Sequence, residues 1–275
     1  MKKYISILLA ILFIGFTNMS CSEDPDNWRI VESTQAGVYV AGDATIYSAV
    51  ASAASFGDAG IDQGDESIAA EWNSNLSSIY TWLKASGTFT ITIVDTEGQS
   101  VAYGAGTTVD PSATYTTYNL AEEATFSVAT DGVYKLIYNK LDHQLTIIPV
   151  NLCLVGDATT AGWSPADGAT KTPMTAVLDD MTSIVTYTIN NATMTANSMK
   201  FAFAGNWGYE FPYDGGKAKV HTNLGTQSSG VNINASAQGL KAGGDNFKVE
   251  TSGSYTVQVQ LNLRNKQFSA SAVSN

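Results

Sequence analysis

The chain carries one pattern of residues twice. Val38-Tyr-Val-Ala-Gly-Asp-Ala-Thr returns as Leu152-Cys-Leu-Val-Gly-Asp-Ala-Thr, so Gly42 corresponds to Gly156. Phe89-Thr-Ile-Thr-Ile, followed by Tyr103-Gly-Ala-Gly, returns as Met199-Lys-Phe-Ala-Phe, followed by Tyr213-Asp-Gly-Gly. Thr130-Asp-Gly-Val-Tyr-Lys-Leu returns as Thr251-Ser-Gly-Ser-Tyr-Thr-Val. Three matches in the same order, at spacings that drift by a few residues, mean a duplicated domain whose loops have gained and lost residues.

Each copy reads as strands. Apolar and polar residues alternate through Tyr134-Lys-Leu-Ile-Tyr-Asn and Tyr255-Thr-Val-Gln-Val-Gln-Leu, each followed by a charged turn and a further strand. Period two buries Tyr255, Val257, Val259 and Leu261 and leaves Thr256, Gln258 and Gln260 in water. Asn139-Lys-Leu-Asp-His and Asn262-Leu-Arg-Asn-Lys read as the hairpin turns that join the last two strands of each copy. Asp65 to Lys84 is the exception, with a spacing that fits a short helix or an extra loop. The expected fold is all-β: two tandem β-sandwich domains, immunoglobulin-like or carbohydrate-binding-module-like, over residues 37–149 and 150–275. Pro149 marks the join.

A signal segment precedes them. Lys2-Lys3 form a basic start, Ile5 to Phe16 an apolar run too short for a membrane span, and Met19-Ser20-Cys21 the end. A small residue directly before a cysteine is the bacterial lipoprotein arrangement, so residues 1–20 read as a signal peptide and Cys21 as the acylated residue. Several acyl chains hold a protein on a membrane far better than one, at about 0.8 kcal/mol per buried methylene. Residues 21–36 are a polar tether that opens with the acidic run Ser-Glu-Asp-Pro-Asp.

Charge and composition exclude several function classes. A formal charge of −11 with only 14 lysines and arginines gives nucleic acid nothing to bind. The two histidines, His143 and His221, have no partners at metal-ligand spacing, so neither a metal nor a cofactor is expected. With Cys21 acylated, Cys153 is alone within an apolar run and reads as a small core residue rather than a nucleophile.

Two tryptophans stand on turns. Trp163 follows Val155-Gly-Asp-Ala-Thr-Thr-Ala-Gly, and Trp207 follows the end of an alternating run at Gly205-Asn. Turns rich in Gly, Asn, Asp and Pro run over the surface, where a large flat ring is a platform for a ligand. The competing readings are a packed loop anchor for Trp207 and a cap on the end of the sandwich for Trp163.

Leu152-Cys-Leu-Val-Gly-Asp-Ala-Thr-Thr-Ala-Gly-Trp, Lys200-Phe-Ala-Phe-Ala-Gly-Asn-Trp-Gly-Tyr and Gly243-Gly-Asp-Asn-Phe-Lys-Val together resemble the SusE/SusF family of starch-binding outer-membrane lipoproteins of Bacteroides. The resemblance spans nearly all of residues 151–275 and is looser over 37–149. It implies a non-catalytic lipoprotein on the outer membrane, facing outward, that binds polysaccharide or oligosaccharide. A TonB-dependent transporter and its SusD-like partner are the implied neighbours, and starch-like α-glucan is the implied ligand. The acidic run after Cys21 is similar to the signal that exports such lipoproteins to the cell surface. By the same resemblance, Trp163 and Trp207 stack on glucose, and Lys200, Asn206, Tyr209, Asp245 and Asn246 meet its hydroxyls. The chemistry is direct: the C–H face of a sugar is apolar and slightly positive and packs on the negative face of an aromatic ring. Hydroxyls left dry and unpaired cost affinity.

The first copy departs from this pattern. Glu97 stands at the position of Trp207, Thr90 at that of Lys200, and Ile46-Tyr47 lead where the second copy leads to Trp163. The first copy is therefore expected to be a spacer, with Tyr47, Trp72, Trp82 and Tyr103 as the aromatics available for another platform. Asp58, Asp62, Asp65 and Glu66 match no defined calcium loop. Two other functions remain open. One is an interaction protein of an outer-membrane complex, since Trp and Tyr are enriched at interfaces. The other is a glycoside hydrolase, which needs two facing carboxylates drawn from Asp157, Asp167, Glu210 and Asp214.

Overall fold

Strands follow the alternating pattern almost everywhere. The computed structural model describes residues 34–61, 74–213, 216–234 and 237–275, with 212, 213, 216 and 217 as backbone only. Residues 1–20, Cys21, its acidic neighbours, Asp62, Asp65, Glu66, Trp72 and Asp214 fall outside the described residues.

The first copy forms β1 (Gly37–Ala41), β2 (Gly57–Asp58), β3 (Leu76–Leu83), β4 (Thr90–Val94), β5 (Ser100–Pro111), β6 (Thr116–Glu122), β7 (Gly132–Asn139) and β8 (Gln144–Pro149). They make one antiparallel sheet in the order β1-β4-β5-β6-β8-β7-β3-β2. Val40 and Ile91, from one end of that order, share a buried cluster with Ile79, Leu83 and Leu136 from the other, so the sheet folds over on itself. β3 occupies part of the stretch expected to be a helix or loop. Its side chains enter two apolar clusters, Leu76, Tyr80 and Trp82 one and Ile79 and Leu83 the other, so it is a strand covered on both faces.

The second copy forms β9 (Leu152–Val155), the helix α1 (Pro165–Lys171), β10 (Thr175–Asp179), β11 (Ile184–Met194), β12 (Ser198–Phe203), β13 (Gly208–Tyr213), β14 (Gly216–His221), β15 (Asn223–Thr226), β16 (Gln238–Ala242), β17 (Phe247–Lys248), β18 (Gly253–Asn262) and β19 (Gln267–Ser274). The sheet order is β10-β11-β18-β19-β16-β15-β12-β17, with β9 on the free side of β12 and β13–β14 apart as a hairpin. Burial along β18 follows period two, with Tyr255, Val257, Val259 and Leu261 inside and Gln258 and Gln260 in solvent. Among the described residues, the protein is all-β apart from α1 and one 3-10 turn. Among the described residues, no helix is long and apolar enough to cross a membrane.

The repeated motifs adopt matching local geometry. Gly42 and Gly156 both have positive φ, 146° and 123°. A Cβ on Gly42 would strike the backbone at Thr88 and Phe89, and one on Gly156 would strike it at Ser198 and Met199. Tyr134 donates its hydroxyl to the Thr130 carbonyl, and Tyr255 donates to that of Thr251, each four residues back. Both last hairpins close from Asn to Gln, Asn139 opposite Gln144 and Asn262 opposite Gln267.

One match does not hold. β5 follows β4 through a tight turn and pairs with it, placing Tyr103 opposite Ile91. In the second copy the strand in that place is β15, with Leu224 opposite Phe201, because the chain first leaves the sheet for β13–β14. The counterpart of Tyr103 is thus Leu224, and Tyr213 belongs to an inserted hairpin.

That hairpin joins the copies. Tyr209, Phe211 and Val220 enter a buried cluster with Ile61, Val133 and Ile148 of the first copy, and the apolar core crosses the Pro149 boundary without a break. Tyr47 adds a buried bond of 2.7 Å from its hydroxyl to the Leu263 carbonyl.

Candidate functional site

The register of three strands builds one face. Lys200 lies opposite Val155, and Ala202 lies opposite both Cys153 and Asn223, so these side chains share one side of the sheet. Phe201, Phe203, Leu152 and Leu154 point the other way into the core. The indole of Trp207 lies over the outer side, packed against Cys153, Val155 and Ala202. α1 covers the rest, and Gly168 is what allows it, since a Cβ there would come 2.5 Å from the Cys153 sulfur. Cys153 is fully buried, and burial pushes its thiol up to about 11, which suits a packing residue and not a nucleophile.

Two loops deliver the tryptophans to this face. Gly156 N–H donates to the Gly162 carbonyl at 2.7 Å, closing the loop before Trp163. Ser164 then caps α1, its hydroxyl accepting from Asp167 N–H, with Pro165 in the first turn. Trp163 is therefore held between a closed loop and a capped helix, yet it is 37% exposed. On the other loop, the Trp207 carbonyl accepts from Thr222 N–H and from Asn223 Nδ2 at 3.0 Å. Asn206 turns the chain there, its Oδ1 accepting from Gly208 N–H. The two indoles stand 6.3 Å apart between centroids and tilt by 35°.

The predicted polar residues divide. Lys200 shares the face of Trp207, and its ammonium reaches the Gly243 carbonyl at 3.4 Å, at the start of the Gly-Gly-Asp-Asn loop. Asp245 and Asn246 are exposed at the far end of that loop, whose backbone pairs with Thr226. Asn206 is half-buried beside Trp207 and spends its side chain on the turn. Tyr209 goes elsewhere. It is 7% exposed, its ring packs edge-on to Tyr115 at 4.2 Å, and its hydroxyl meets Thr117 at 3.1 Å. Alternation along β13 turns it to the shared core, so it is a residue of the contact between copies and not of the tryptophan face.

Asn223 was not legible in the sequence as part of this site. It is 4% exposed, and its Oδ1 is buried without a hydrogen-bond partner while Nδ2 holds Trp207. Its place follows only from β15 pairing with β12, across the inserted hairpin.

The described first-copy aromatics serve packing. Tyr47 is buried against Leu263, Trp82 lies half-buried against the shared core, and Tyr103 packs edge-on to His143 at 4.7 Å. Of the candidate carboxylates, Asp58 turns back on Gly60 N–H and Asp167 pairs with Lys171 at 3.0 Å. Glu210 stands exposed on β13, and Asp157 is exposed beside Gly156.

No family model matches the chain, and no curated protein matches it. Among solved structures it is similar to SusF from Bacteroides thetaiotaomicron, at 17% identity and a TM-score of 0.25. The likeness covers 88% of this chain and 49% of that one, so this chain spans about half the length of that protein. The all-β architecture rests on the strand pairing described above.

Proposed function

We propose that this protein is a non-catalytic, glycan-binding lipoprotein of the SusE/SusF kind, held on the outer membrane through Cys21 and facing outward. The observation that carries the reading is the tilted pair Trp163 and Trp207, one ring exposed and the other seated on a rigid sheet face. At 6.3 Å between centroids the rings are too close to admit a sugar between them, since contact needs about 3.5–4 Å on each side. They form one bent platform instead, on which successive sugars of a curved chain stack. A starch-like α-glucan has that curvature. Lys200, Asp245 and Asn246 are the polar groups of its rim, and Trp207 is the anchor.

A single platform of this size gives weak binding, about −4 to −6 kcal/mol, or high micromolar to millimolar. Many copies on one cell surface raise the effective affinity by avidity and concentrate glycan for a TonB-dependent transporter and its SusD-like partner.

Electrophoresis of residues 22–275 through gels containing amylopectin, pullulan, dextran, inulin or xylan tests this, beside a Trp207→Ala protein. Retardation in one polysaccharide, lost in the variant, is the expected result. Migration unchanged in every gel sinks the glycan reading and favours a protein partner for the tryptophan face.

A further inference from the structure

A further groove lies beside the β18–β19 hairpin of the second copy, between the outer face of the sheet and the core-packed Leu240 and Phe268. Register places Gln260 opposite Ser269, and Ser269 opposite Gly239 on the next strand. One row along, Asn262 lies opposite Gln267 on one side and Ile184 on the other. These side chains share the outer face, and adjacent strands set them about 4.8 Å apart. Gly239 leaves room for a further amide: a Cβ there would sit 3.1 Å from Gln227 Nε2, so the Gln227 side chain lies over the sheet at this point.

The result is a cavity of 460 Å3 walled mainly by amide side chains, with the Ser269 hydroxyl and the apolar Ile184, Leu240 and Phe268. Leu240, Lys266 and Phe268 also wall a neighbouring cavity of 640 Å3 between the copies. Phe268 is held edge-on to Tyr80, with 5.0 Å between centroids, and supplies the apolar end. Among the described residues, the one charged residue around the smaller cavity is Lys266, whose ammonium donates to the carbonyl and hydroxyl of Ser55, at 2.7 and 2.9 Å.

Chemistry narrows the ligand. Among the described residues this groove has no carboxylate, so a cationic ligand has nothing to pair with, and its one ammonium already spends two of its three N–H groups on Ser55. The amides of Gln227 and Gln260 have no hydrogen-bond partner among the described residues, and each offers two donors and an acceptor. Such groups match the mixed donor and acceptor rim of a polyol, and a volume of several hundred cubic ångströms suits a ligand of a few sugar units.

We propose that this groove is a second saccharide site, taking a neutral oligosaccharide through Gln227, Gln260, Asn262 and Gln267 independently of the tryptophan pair. It shares a ligand class with the function proposed above but none of its residues.

Calorimetric titration of the full chain with maltohexaose, cellohexaose and xylohexaose, and with oligogalacturonate as a charged probe, tests it. Four proteins are compared: the parent, Trp207→Ala, Gln227→Ala/Gln260→Ala, and the triple variant. Both glutamines are exposed, so their replacement leaves the melting temperature unchanged. The expected result is that Trp207→Ala still binds one neutral hexasaccharide, that the triple variant binds it at least tenfold more weakly, and that oligogalacturonate does not bind. If Trp207→Ala abolishes all binding, the groove falls and the tryptophan site stands. If the Gln pair abolishes binding while Trp207→Ala leaves it intact, the groove stands and the tryptophan site falls. Residual binding that ignores the glutamines, a groove that prefers oligogalacturonate, or a parent protein that binds no hexasaccharide each overturns the proposal.

Discussion

The hydroxyl of Tyr209 lies 3.1 Å from that of Thr117, buried, across 92 residues of chain and from one copy to the other. Thr117 keeps a second bond, to Thr146 at 2.9 Å, so Tyr209→Phe leaves no orphaned partner behind. Its cost is that of one hydrogen bond, about 1 kcal/mol. For a unit of this size that lowers the melting temperature by about 2–4 °C. Glycan retardation stays unchanged, because the residue faces the shared core. Calorimetry of Tyr209→Phe and its parent checks both the shift and the cooperativity: one transition is expected, and two resolved ones would mean that the copies unfold separately.

Gly42 and Gly156 supply a matched pair of substitutions. Each has positive φ and leaves no room for a Cβ against the facing backbone. Gly42→Ala and Gly156→Ala are both expected to destabilise by roughly 1–3 kcal/mol or more, from strain and backbone collision. Only Gly156→Ala also weakens glycan binding, since its loop carries Trp163. Urea midpoints and gel retardation of the two proteins separate these effects, and equal loss of binding in both would contradict the assignment.

Lys135 imposes a pH dependence. Its ammonium is buried, donating to the Ala59 carbonyl at 2.7 Å and the His221 carbonyl at 3.2 Å, with the Tyr80 ring 5.5 Å away. Burial pulls its pKa down from 10.5 to about 7, and the negative charge of Asp58 opposes that only in part. The unfolded chain keeps this proton up to about pH 10.5 while the folded protein releases it near 7, so the unfolded state binds more protons in between. The stability penalty is fully present below pH 7 and is relieved as pH rises. Urea midpoints are expected to increase from pH 7 to 9, at no more than about 1.4 kcal/mol per pH unit from this group. In Lys135→Met that slope disappears. A parent protein equally stable at both pH values would contradict it.

Much of the fold was readable because its signals are local. Alternation in Tyr255 to Leu261 sets which side chains are buried, and Asn and Gly punctuate the turns. Where local signals conflict, reading failed. The segment before Leu83 mixes apolar and polar residues at a spacing that suits a helix, and the two apolar layers around β3 decide for a strand. Tyr209 follows directly after the Trp207 turn in sequence, yet its hairpin leaves the sheet and carries it into the contact with Thr117.

By itself the sequence determined the secondary-structure class and the presence of two aromatic rings on turns. These follow from steric and solvation preferences that act over a few residues. Tertiary structure alone decided that Trp163 and Trp207 meet at 6.3 Å, that Asn223 holds the second of them, and that Lys135 and Tyr209 lie buried between copies. Each of those depends on which strands pair and in what register. Pairing between distant segments is chosen by the burial of the whole core, which no single stretch of chain encodes.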